Sequence, residues 1–258
     1  MKAHPTAIIH PQAQIADGVT IGPYSIIGDG VELGEDCEVM SHVVMEGPTR
    51  LGKRNRIFPF AIVGLPCQDL KYQGEPTRLE IGDDNVIREF VTLHRGTVDG
   101  GGVTSIGHHN FLMAYVHIAH DCRLGNHIIM ANGASLAGHV EIGNHATVGA
   151  FCGIHQFCRI GAYSFLGSYS VINKDILPYS RTSAERPAGV YGANRVGLER
   201  RGFAQQEIDE LDTALRLLSR SKLNTTQALE AIAARGFQSE HVRALVDFIK
   251  TSQRGVVK

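Results

Sequence analysis

The chain has 258 residues, of which 43% are hydrophobic, and its formal net charge is −1 at pH 7. This composition allows a large buried core, whereas the near-neutral charge argues against a nucleic-acid-binding protein. An apolar run of about 18 residues and a charged-then-apolar leader are both absent, so the sequence predicts no membrane span and no signal peptide. Five cysteines without a Cys-x-x-Cys pair suit a reducing compartment, and we expect a cytoplasmic protein.

Large aliphatic residues, which we call the hexad residues, recur at every sixth position over most of residues 1–178. A small or β-branched residue stands two positions before each, and glycine often follows, as in Ile21-Gly22 and Ile142-Gly143. Because strand side chains alternate between two faces, both apolar positions would point inward, and we expect the glycine to let the chain turn a corner. The hexad residues are Ile9, Ile15, Ile21, Ile27, Leu33, Val39, Met45, Leu51, Ile57, Val63, Ile81, Ile87, Leu93, Ile106, Leu112, Ile118, Leu124, Met130, Leu136, Ile142, Val148, Ile154, Ile160, Leu166 and Ile172.

This period predicts an all-β domain over residues 1–178, a parallel β-helix built from hexapeptide repeats. Three hexads make one coil of about 18 residues, and roughly ten coils stack about 4.8 Å apart. A helix could not accommodate so much glycine and so many β-branched residues. Hexad spacing does not reveal the hand of the β-helix.

Two segments interrupt the hexads and predict projecting loops at 64–80 and 94–105. The first contains prolines and glycines, with Asp69 and Glu75 at positions that would otherwise point inward. The second is rich in glycine and adds one residue to the period. Loops on a rigid scaffold are where functional residues are expected.

The period becomes helical after residue 178, which predicts a C-terminal helical domain over 179–258. We expect helices at 195–201, 204–219, 225–235 and 239–251. Asn224 and Gln227 have the spacing of a capping box, and Gly236 and Gly255 are stop signals.

Four cysteines stand two positions before hexad residues, where a small inward-facing side chain is expected. Core packing therefore explains them better than a metal or redox site, and Cys67 falls in the first loop. The four are Cys37, Cys122, Cys152 and Cys158.

Outward polar residues of three successive coils should meet at one edge, because residues 18 positions apart stack. This places His120 against Gly138, followed by Gln156, and Asp121 against His139. An imidazole can accept a proton from a hydroxyl, which contributes about 10²–10⁴ in rate. The bare N–H of a glycine can stabilise an oxyanion, which contributes roughly 10²–10³. The pair predicts acyl transfer, and Asp121 could orient the imidazole.

Two other interpretations of these histidines remain open. His117, His120 and His139 could bind zinc, as in hexapeptide-repeat carbonic anhydrases, or they could be ordinary surface residues. No spacing here is a specific metal signature, so acyl transfer is favoured over both.

Motifs along the whole chain resemble those of one family. They are Gln-Asp-Leu-Lys-Tyr at 68–72, Gly-Glu-Pro-Thr-Arg at 74–78, His-Arg-Gly-Thr at 94–97, His-Ile-Ala-His-Asp-Cys at 117–122, Leu-Ala-Gly-His at 136–139, His-Gln-Phe-Cys at 155–158, Gly-Leu at 197–198 and Arg-Arg-Gly-Phe at 200–203. In this combination the chain resembles the UDP-N-acetylglucosamine acyltransferases, which start lipid A (lipopolysaccharide) synthesis.

The resemblance implies a left-handed β-helix and a homotrimer with sites between subunits. It implies that a 3-hydroxyacyl group moves from acyl carrier protein to the 3-hydroxyl of UDP-N-acetylglucosamine. The phosphopantetheine thioester is then the donor substrate, and no cofactor, metal, nucleic acid or integral membrane contact is expected.

The resemblance also implies residue roles. His120 is the general base and Gly138 gives the oxyanion N–H. Asp121 joins this catalytic set because of its place beside His120. Ser168, thirteen positions after His155, matches the residue that walls off the acyl groove in the family. Because serine is small, the groove should stay open to a longer acyl chain, with Phe165 as a competing wall. The substrate-binding residues would be Gln68, Asp69, Lys71, His94, His117, His139, His155, Gln156, Asn194, Arg200 and Arg201.

The chain departs from the family pattern in three places. Val196 stands where a glutamate is common, Asn132-Gly133 stands where an Asn-Asn pair is common, and 183–193 looks unusual. Two alternatives to the favoured function also stay open: N-acylation of the 3-amino analogue of the sugar nucleotide, and a metal-binding or non-catalytic hexapeptide-repeat trimer.

Overall fold

The computed structural model describes residues 1–184 and 188–258. The predicted parallel β-helix is confirmed, and it is left-handed. Three sheets form its faces: β1-β4-β7-β10-β13-β16-β19-β22-β25-β27-β28, β2-β5-β8-β11-β14-β17-β20-β23-β26 and β24-β21-β18-β15-β12-β9-β6-β3. In chain order, the strands are β1 (Lys2–Ala3), β2 (Ile8–Ile9), β3 (Gln14–Ile15), β4 (Thr20–Ile21), β5 (Ile26–Ile27), β6 (Val31–Leu33), β7 (Glu38–Val39), β8 (Val44–Met45), β9 (Thr49–Leu51), β10 (Arg56–Ile57), β11 (Ile62–Leu65), β12 (Arg78–Ile81), β13 (Val86–Ile87), β14 (Thr92–His94), β15 (Val103–Ile106), β16 (Phe111–Leu112), β17 (His117–Ile118), β18 (Arg123–Leu124), β19 (Ile129–Met130), β20 (Ser135–Leu136), β21 (Glu141–Ile142), β22 (Thr147–Val148), β23 (Gly153–Ile154), β24 (Arg159–Ile160), β25 (Phe165–Leu166), β26 (Val171–Ile172), β27 (Ser180–Thr182) and β28 (Val190–Ala193).

The hexad residues form the core, as the alternation predicted. Leu93, Ile118 and Leu136 follow one another in a single column and are each 0% exposed. Ile9 and Ile15 are only partly buried, because they belong to the first coil and have no coil beneath them. The four cysteines at small inward positions are all unpaired and buried, and so is Cys67.

The glycines that follow the hexad residues serve close approach, so the expectation that they form the corners was wrong. A Cβ on Gly22 would lie 2.7 Å from the Met40 carbonyl carbon, and one on Gly34 would lie 2.5 Å from that of Gly52. The left-handed backbone conformation falls instead on the third residue after the hexad residue. Asp121 (φ 60°) and His139 (φ 61°) are two of eighteen described residues other than glycine with this conformation, and seventeen of the eighteen are the third residue after a hexad residue.

The two loops are shorter than predicted, because the chain pairs with neighbouring coils sooner. Strand β11 runs to Leu65 and β12 starts at Arg78, while β14 runs to His94 and β15 starts at Val103. The segments outside strands are therefore 66–77 and 95–102. Ile57 pairs with Ile87, and Leu93 pairs with Ile118, which are separations of 30 and 25 residues instead of 18.

A buried asparagine ladder crosses both lengthened coils. Asn55, Asn85 and Asn110 are at most 1% exposed and stack on one another inside the β-helix. The Asn85 amide donates to Asn55 Oδ1 at 3.0 Å and to the Gly82 and Gly107 carbonyls at 3.1 and 3.0 Å. The Asn110 N–H donates to Asn85 Oδ1 at 2.9 Å. The ladder therefore fixes the register of the coils from which the loops project.

The C-terminal part begins with two strands that the sequence analysis missed. Strand β27 continues the first sheet in parallel beside β25, and β28 pairs antiparallel with β27. Four helices follow, with ends within two residues of the prediction: α1 (Arg195–Glu199), α2 (Gln205–Ser219), α3 (Thr225–Ala234) and α4 (Glu240–Lys250). The domain division at residue 178 stays a prediction, and part of the unusual segment 183–193 lies outside the described residues.

The helices pack and cap largely as predicted. The capping box of α3 is confirmed, because the Gln227 N–H donates to Asn224 Oδ1 at 2.9 Å and the Asn224 N–H donates to Gln227 Oε1 at 3.1 Å. Helix α2 packs against β28 and buries Leu211, Leu215 and Leu218. In the described part of the chain, no helix has the length and apolar character needed to cross a bilayer.

Replacement of Ile142 by Asp tests the inward register. Ile142 is 3% exposed between two coils, so an unpaired carboxylate there should lower the free energy of unfolding by about 3–5 kcal/mol. Glu141 beside it points outward and is exposed. Glu141→Gln, the control, should change stability by no more than about 0.5 kcal/mol. Equal urea midpoints for the two variants would contradict the assigned register.

Candidate active site

The first loop and the edge of the coils enclose a cleft of about 720 Å³. Eight of the predicted site residues line it. They are Gln68, Asp69 and Lys71 from the first loop, His94 from the end of β14, and His117, His120, His139 and Gln156 from three successive coils. The structure therefore brings the first loop over the edge where stacking predicted the polar residues to meet.

His120 is held by the carboxylate of Asp121. The Asp121 side chain is buried, and its Oδ2 atom lies 2.7 Å from His120 Nδ1. Burial alone would raise the pKa of the Asp121 carboxyl, but hydrogen bonds from His120 and Thr97 outweigh it, and this pKa lies below its ordinary value. A carboxylate only accepts hydrogen bonds, so His120 Nδ1 carries the proton, and in the neutral imidazole Nε2 is then the acceptor.

Gly138 lies directly against the His120 ring. A Cβ at this position would be 2.4 Å from His120 Cε1 and 2.7 Å from Nε2, so a side chain larger than hydrogen would displace the imidazole. The Gly138 carbonyl accepts from the Phe157 N–H at 3.2 Å, whereas among the described residues its own N–H has no protein acceptor. The predicted base and the predicted oxyanion donor are therefore adjacent.

Burial keeps the other cleft histidines neutral. Desolvation, followed by the nearby His94 and His120 rings, lowers the pKa of His117 to about 4. Desolvation also lowers the pKa of His94 and of His139. At neutral pH these imidazoles therefore present hydrogen-bonding groups and no charge, which suits recognition of hydroxyl and amide groups.

The neighbours of these histidines leave particular ring atoms free. His117 Nδ1 lies 2.7 Å from Thr92 Oγ1, and His94 Nδ1 donates to the Pro66 carbonyl at 2.8 Å. His94 Nε2 is buried and has no partner among the described residues. The His139 ring stacks on Phe157 with a centroid separation of 4.4 Å. Each of these rings lines the cleft and is held in place by a contact with a neighbouring residue.

The remaining predicted residues lie apart from His120 within one chain. Phe165, Asn194, Arg200 and Arg201 line a second cleft of about 640 Å³, together with the exposed Val196.

Two predicted residues line neither of these clefts. Ser168 sits at a corner, where its Oγ accepts from the Ala150 N–H at 3.2 Å. His155 Nδ1 lies 3.3 Å from Arg254 Nη2. The sequence-predicted set is therefore divided between separate surfaces of a single chain.

Sequence reasoning missed five residues of the first cleft. They are Leu70, Thr97, Asp99, Ala119 and Phe157. Thr97 and Phe157 belong to the His-Arg-Gly-Thr and His-Gln-Phe-Cys motifs. Membership of these motifs could have identified both as site residues. Coil arithmetic could not place Thr97 and Asp99, because the second loop breaks the 18-residue spacing.

The zinc site considered from the sequence is not formed by the three histidines proposed for it. Among the described residues, one group of three potential ligands lies within 4.8 Å, and it consists of His120, Asp121 and His139. Asp121 Oδ2 already accepts from His120 and from Thr97 Oγ1. An ion bound through His120 Nδ1 would replace the proton that orients that ring, so the geometry suits a base better than a metal ligand.

Known proteins of one family are similar to this chain along its whole length. A family model described as UDP N-acetylglucosamine O-acyltransferase, domain 2, matches residues 175–257, and a model of bacterial transferase hexapeptide repeats matches 4–35 and 139–174. The acyl-[acyl-carrier-protein]–UDP-N-acetylglucosamine O-acyltransferase of Thermodesulfovibrio yellowstonii is 50% identical over 257 residues, covering 100% of this chain and 99% of that protein.

Solved structures are similar over the same span. LpxA from Acinetobacter baumannii superposes with a TM-score of 0.95 at 47% identity, covering 99% of both chains. LpxA from Bacteroides fragilis, a UDP-N-acetylglucosamine acyltransferase, superposes with a TM-score of 0.96 at 39% identity and the same coverage. With full-length identity of this degree, the chain belongs to the acyl-[acyl-carrier-protein]–UDP-N-acetylglucosamine O-acyltransferase family.

Proposed function

We propose that this protein transfers a 3-hydroxyacyl group from the phosphopantetheine thioester of acyl carrier protein to the 3-hydroxyl of UDP-N-acetylglucosamine, the first step of lipid A biosynthesis. The observation that carries the proposal is the imidazole of His120, held by Asp121 and packed on the bare backbone of Gly138. A base next to an unused N–H is the arrangement that acyl transfer requires.

In the proposed reaction, His120 Nε2 removes the proton from the sugar hydroxyl as its oxygen attacks the thioester carbonyl. The negative charge that develops on the carbonyl oxygen is stabilised by the Gly138 N–H. Asp121 stabilises the imidazolium that forms, as in other base–carboxylate pairs. When the tetrahedral intermediate collapses, the C–S bond breaks and His120 returns its proton to the leaving thiolate.

The other cleft residues are proposed to hold the acceptor sugar. His117, His139 and His94 are neutral near pH 7 and can donate or accept hydrogen bonds with sugar hydroxyl and amide groups. Asp69 and Gln156 add polar contacts from the loop and from the next coil. Gln68, Lys71 and His155 are assigned to the same substrate on family resemblance.

The separation of the two clefts supports a homotrimer with sites between subunits. Asn194, Arg200 and Arg201 do not reach the His120 cleft of their own chain, but they could complete the cleft of a neighbour. Apolar side chains also face outward on adjacent strands, where Ile8 and Ile26 are 64% and 41% exposed. Such side chains on a coil surface are suited to burial between subunits.

The proposed donor partner is acyl carrier protein, bound in part through the cationic groups of Arg200 and Arg201. Acyl carrier proteins are acidic, so local positive charge favours their docking. No cofactor beyond the thioester arm is invoked. The proposed compartment is the cytoplasm, in keeping with five cysteines that are all unpaired.

An acyl-transfer assay tests the function directly. The purified protein would be incubated with 3-hydroxyacyl carrier protein and either UDP-N-acetylglucosamine or its 3-amino analogue, with and without a zinc chelator. We expect ester formation on UDP-N-acetylglucosamine that the chelator does not change. Transfer to the amine alone would favour the N-acylating alternative, and chelator-sensitive turnover would favour a metal site.

Replacement of His120 by Ala should remove the base. We expect kcat to fall by at least about 10²-fold while binding of the sugar nucleotide changes little. His139→Ala, which removes a neighbouring ring of the same cleft, should mainly weaken binding. Steady-state kinetics and calorimetric titration would separate the two effects, and near-normal turnover by His120→Ala would rule out its role as base.

Replacement of Gly138 by Ala should disturb the same pair without changing a polar group. The new Cβ would push the His120 ring by about 1 Å, which is enough to lower kcat/KM by roughly 10²-fold. Gly153→Ala is the matched control, because a Cβ at Gly153 meets no atom within 4 Å. Equal activities for the two variants would show that the close approach at Gly138 is unimportant.

Replacement of Ser168 by Met should shorten the preferred acyl chain. The larger side chain would fill the volume of a few methylene groups, and each excluded methylene loses about 0.8 kcal/mol of burial. Turnover would be compared with donors of about 10, 12 and 14 carbons, with Ser168→Ala as the small-residue control. An unchanged profile would indicate that another residue, such as Phe165, sets the length.

A further inference from the structure

The second loop folds over the buried carboxylate of Asp121. Thr97, at 7% exposure, lies at the centre of this loop, and its carbonyl accepts from the Gly102 N–H at 2.7 Å. A Cβ on Gly100 would come within 1.9 Å of the Asp121 carboxyl carbon, so the loop backbone passes immediately against that group. The loop therefore seals Asp121 from solvent as well as contacting it.

Thr97 supplies two hydrogen bonds to Asp121. Its backbone N–H donates to Oδ1 at 2.8 Å, and its Oγ1–H donates to Oδ2 at 2.6 Å. The Oδ2 atom is also the acceptor of the His120 Nδ1 proton, at 2.7 Å. Both carboxylate oxygens thus have a donor from the same residue, and the carboxylate plane is fixed relative to the imidazole.

We propose that Thr97 is a positioning residue, which acts on His120 through Asp121 and sets both the orientation and the tautomer of the imidazole. The inference rests on the proposed role of His120 as base. Thr97 does not itself react. Its side chain holds Oδ2 where it accepts the Nδ1 proton, which keeps the proton off Nε2.

Loss of the Thr97 hydroxyl has two physical consequences. The carboxylate would keep the Thr97 N–H and the His120 Nδ1–H as donors but would lose the loop donor to Oδ2, so it could rotate and the Nδ1–H tautomer of His120 would be less strongly preferred. The carboxylate charge would also be less compensated and would stabilise the protonated imidazole more strongly. Activity that requires the neutral base should then be lost at a higher pH than in the wild type.

Three variants separate positioning from stability. Thr97→Val keeps the shape of the side chain and removes its hydroxyl, whereas Thr97→Ser keeps the hydroxyl. Thr104→Val is the matched control, because Thr104 is also buried and its Oγ1 accepts from the Asp121 backbone N–H at 2.7 Å, away from the carboxylate. Any general effect of losing a buried threonine hydroxyl near Asp121 should appear in both valine variants.

We expect Thr97→Val to lower kcat by about 10-fold or more with a small change in the KM for the sugar nucleotide. The acid limb of its kcat/KM profile should move to higher pH. Thr97→Ser should restore both quantities. Thr104→Val should lower the urea midpoint but leave the acid limb in place. An acid limb that moves equally in both valine variants, or that Thr97→Ser fails to restore, would overturn the proposal.

Nitrogen NMR of protein labelled at histidine gives a readout that does not depend on turnover. In the wild type the His120 resonances should report a proton on Nδ1, and Thr97→Val should reduce that population. Unchanged His120 nitrogen shifts in Thr97→Val would overturn the positioning role even if the base assignment stands. Normal turnover by His120→Ala would instead rule out His120 as the base, whereas absence of acyl transfer by the wild type would contradict the proposed function.

Discussion

The active-site geometry depends on one constraint, the stacking of each coil on the next through parallel backbone hydrogen bonds. The His117 N–H donates to the Ala134 carbonyl and the Ser135 N–H to the Cys152 carbonyl, at 3.1 and 2.8 Å. This stacking puts Gly138 above His120 with no intervening side chain. The proposed base and the proposed oxyanion donor come from different coils, so their separation is a property of the scaffold and not of a flexible loop. Rigid elements of this kind hold catalytic groups more accurately than loops do.

Side chains at the corners of the coils supply several of the polar groups of the candidate site. Asp121 and His139 adopt the left-handed backbone conformation at equivalent corners of successive coils. This conformation costs a residue other than glycine roughly 1–2 kcal/mol, and packing of the coils must offset it. Many corners hold rings that stack at similar spacing, such as His109 on His127 at 4.8 Å. At the edge near His120, the corner residue is Asp121 instead of an aromatic residue, and the second loop covers its carboxylate.

The sequence predicted the residues on regular coils well and those on the loops poorly. The coils from Ile106 to Ile172 are uninterrupted, so spacing alone placed His120 against Gly138 and Asp121 against His139. It could not place Thr97, because the second loop changes the length of its coil, and it did not foresee the burial of Asp121 that this loop causes. The glycines after the hexad residues were misinterpreted, since a sequence shows which residue is small but not which neighbour approaches it. Strands β27 and β28 were missed because their pairing is not periodic.

The asparagine ladder has a consequence for how this chain finds its structure. Consecutive coils of a solenoid are so alike that stacking displaced by one hexad would bury nearly as many methyl groups as the correct stacking. Hydrophobic contact alone therefore discriminates weakly between competing alignments, most of all where an insertion makes coil length ambiguous. A displaced alignment would leave the amide of Asn85 buried without Asn55 or Asn110, at a cost of about 1–3 kcal/mol for each unpaired group. The ladder thus disfavours wrong stacking at the two lengthened coils, where the chain could most easily pair out of register.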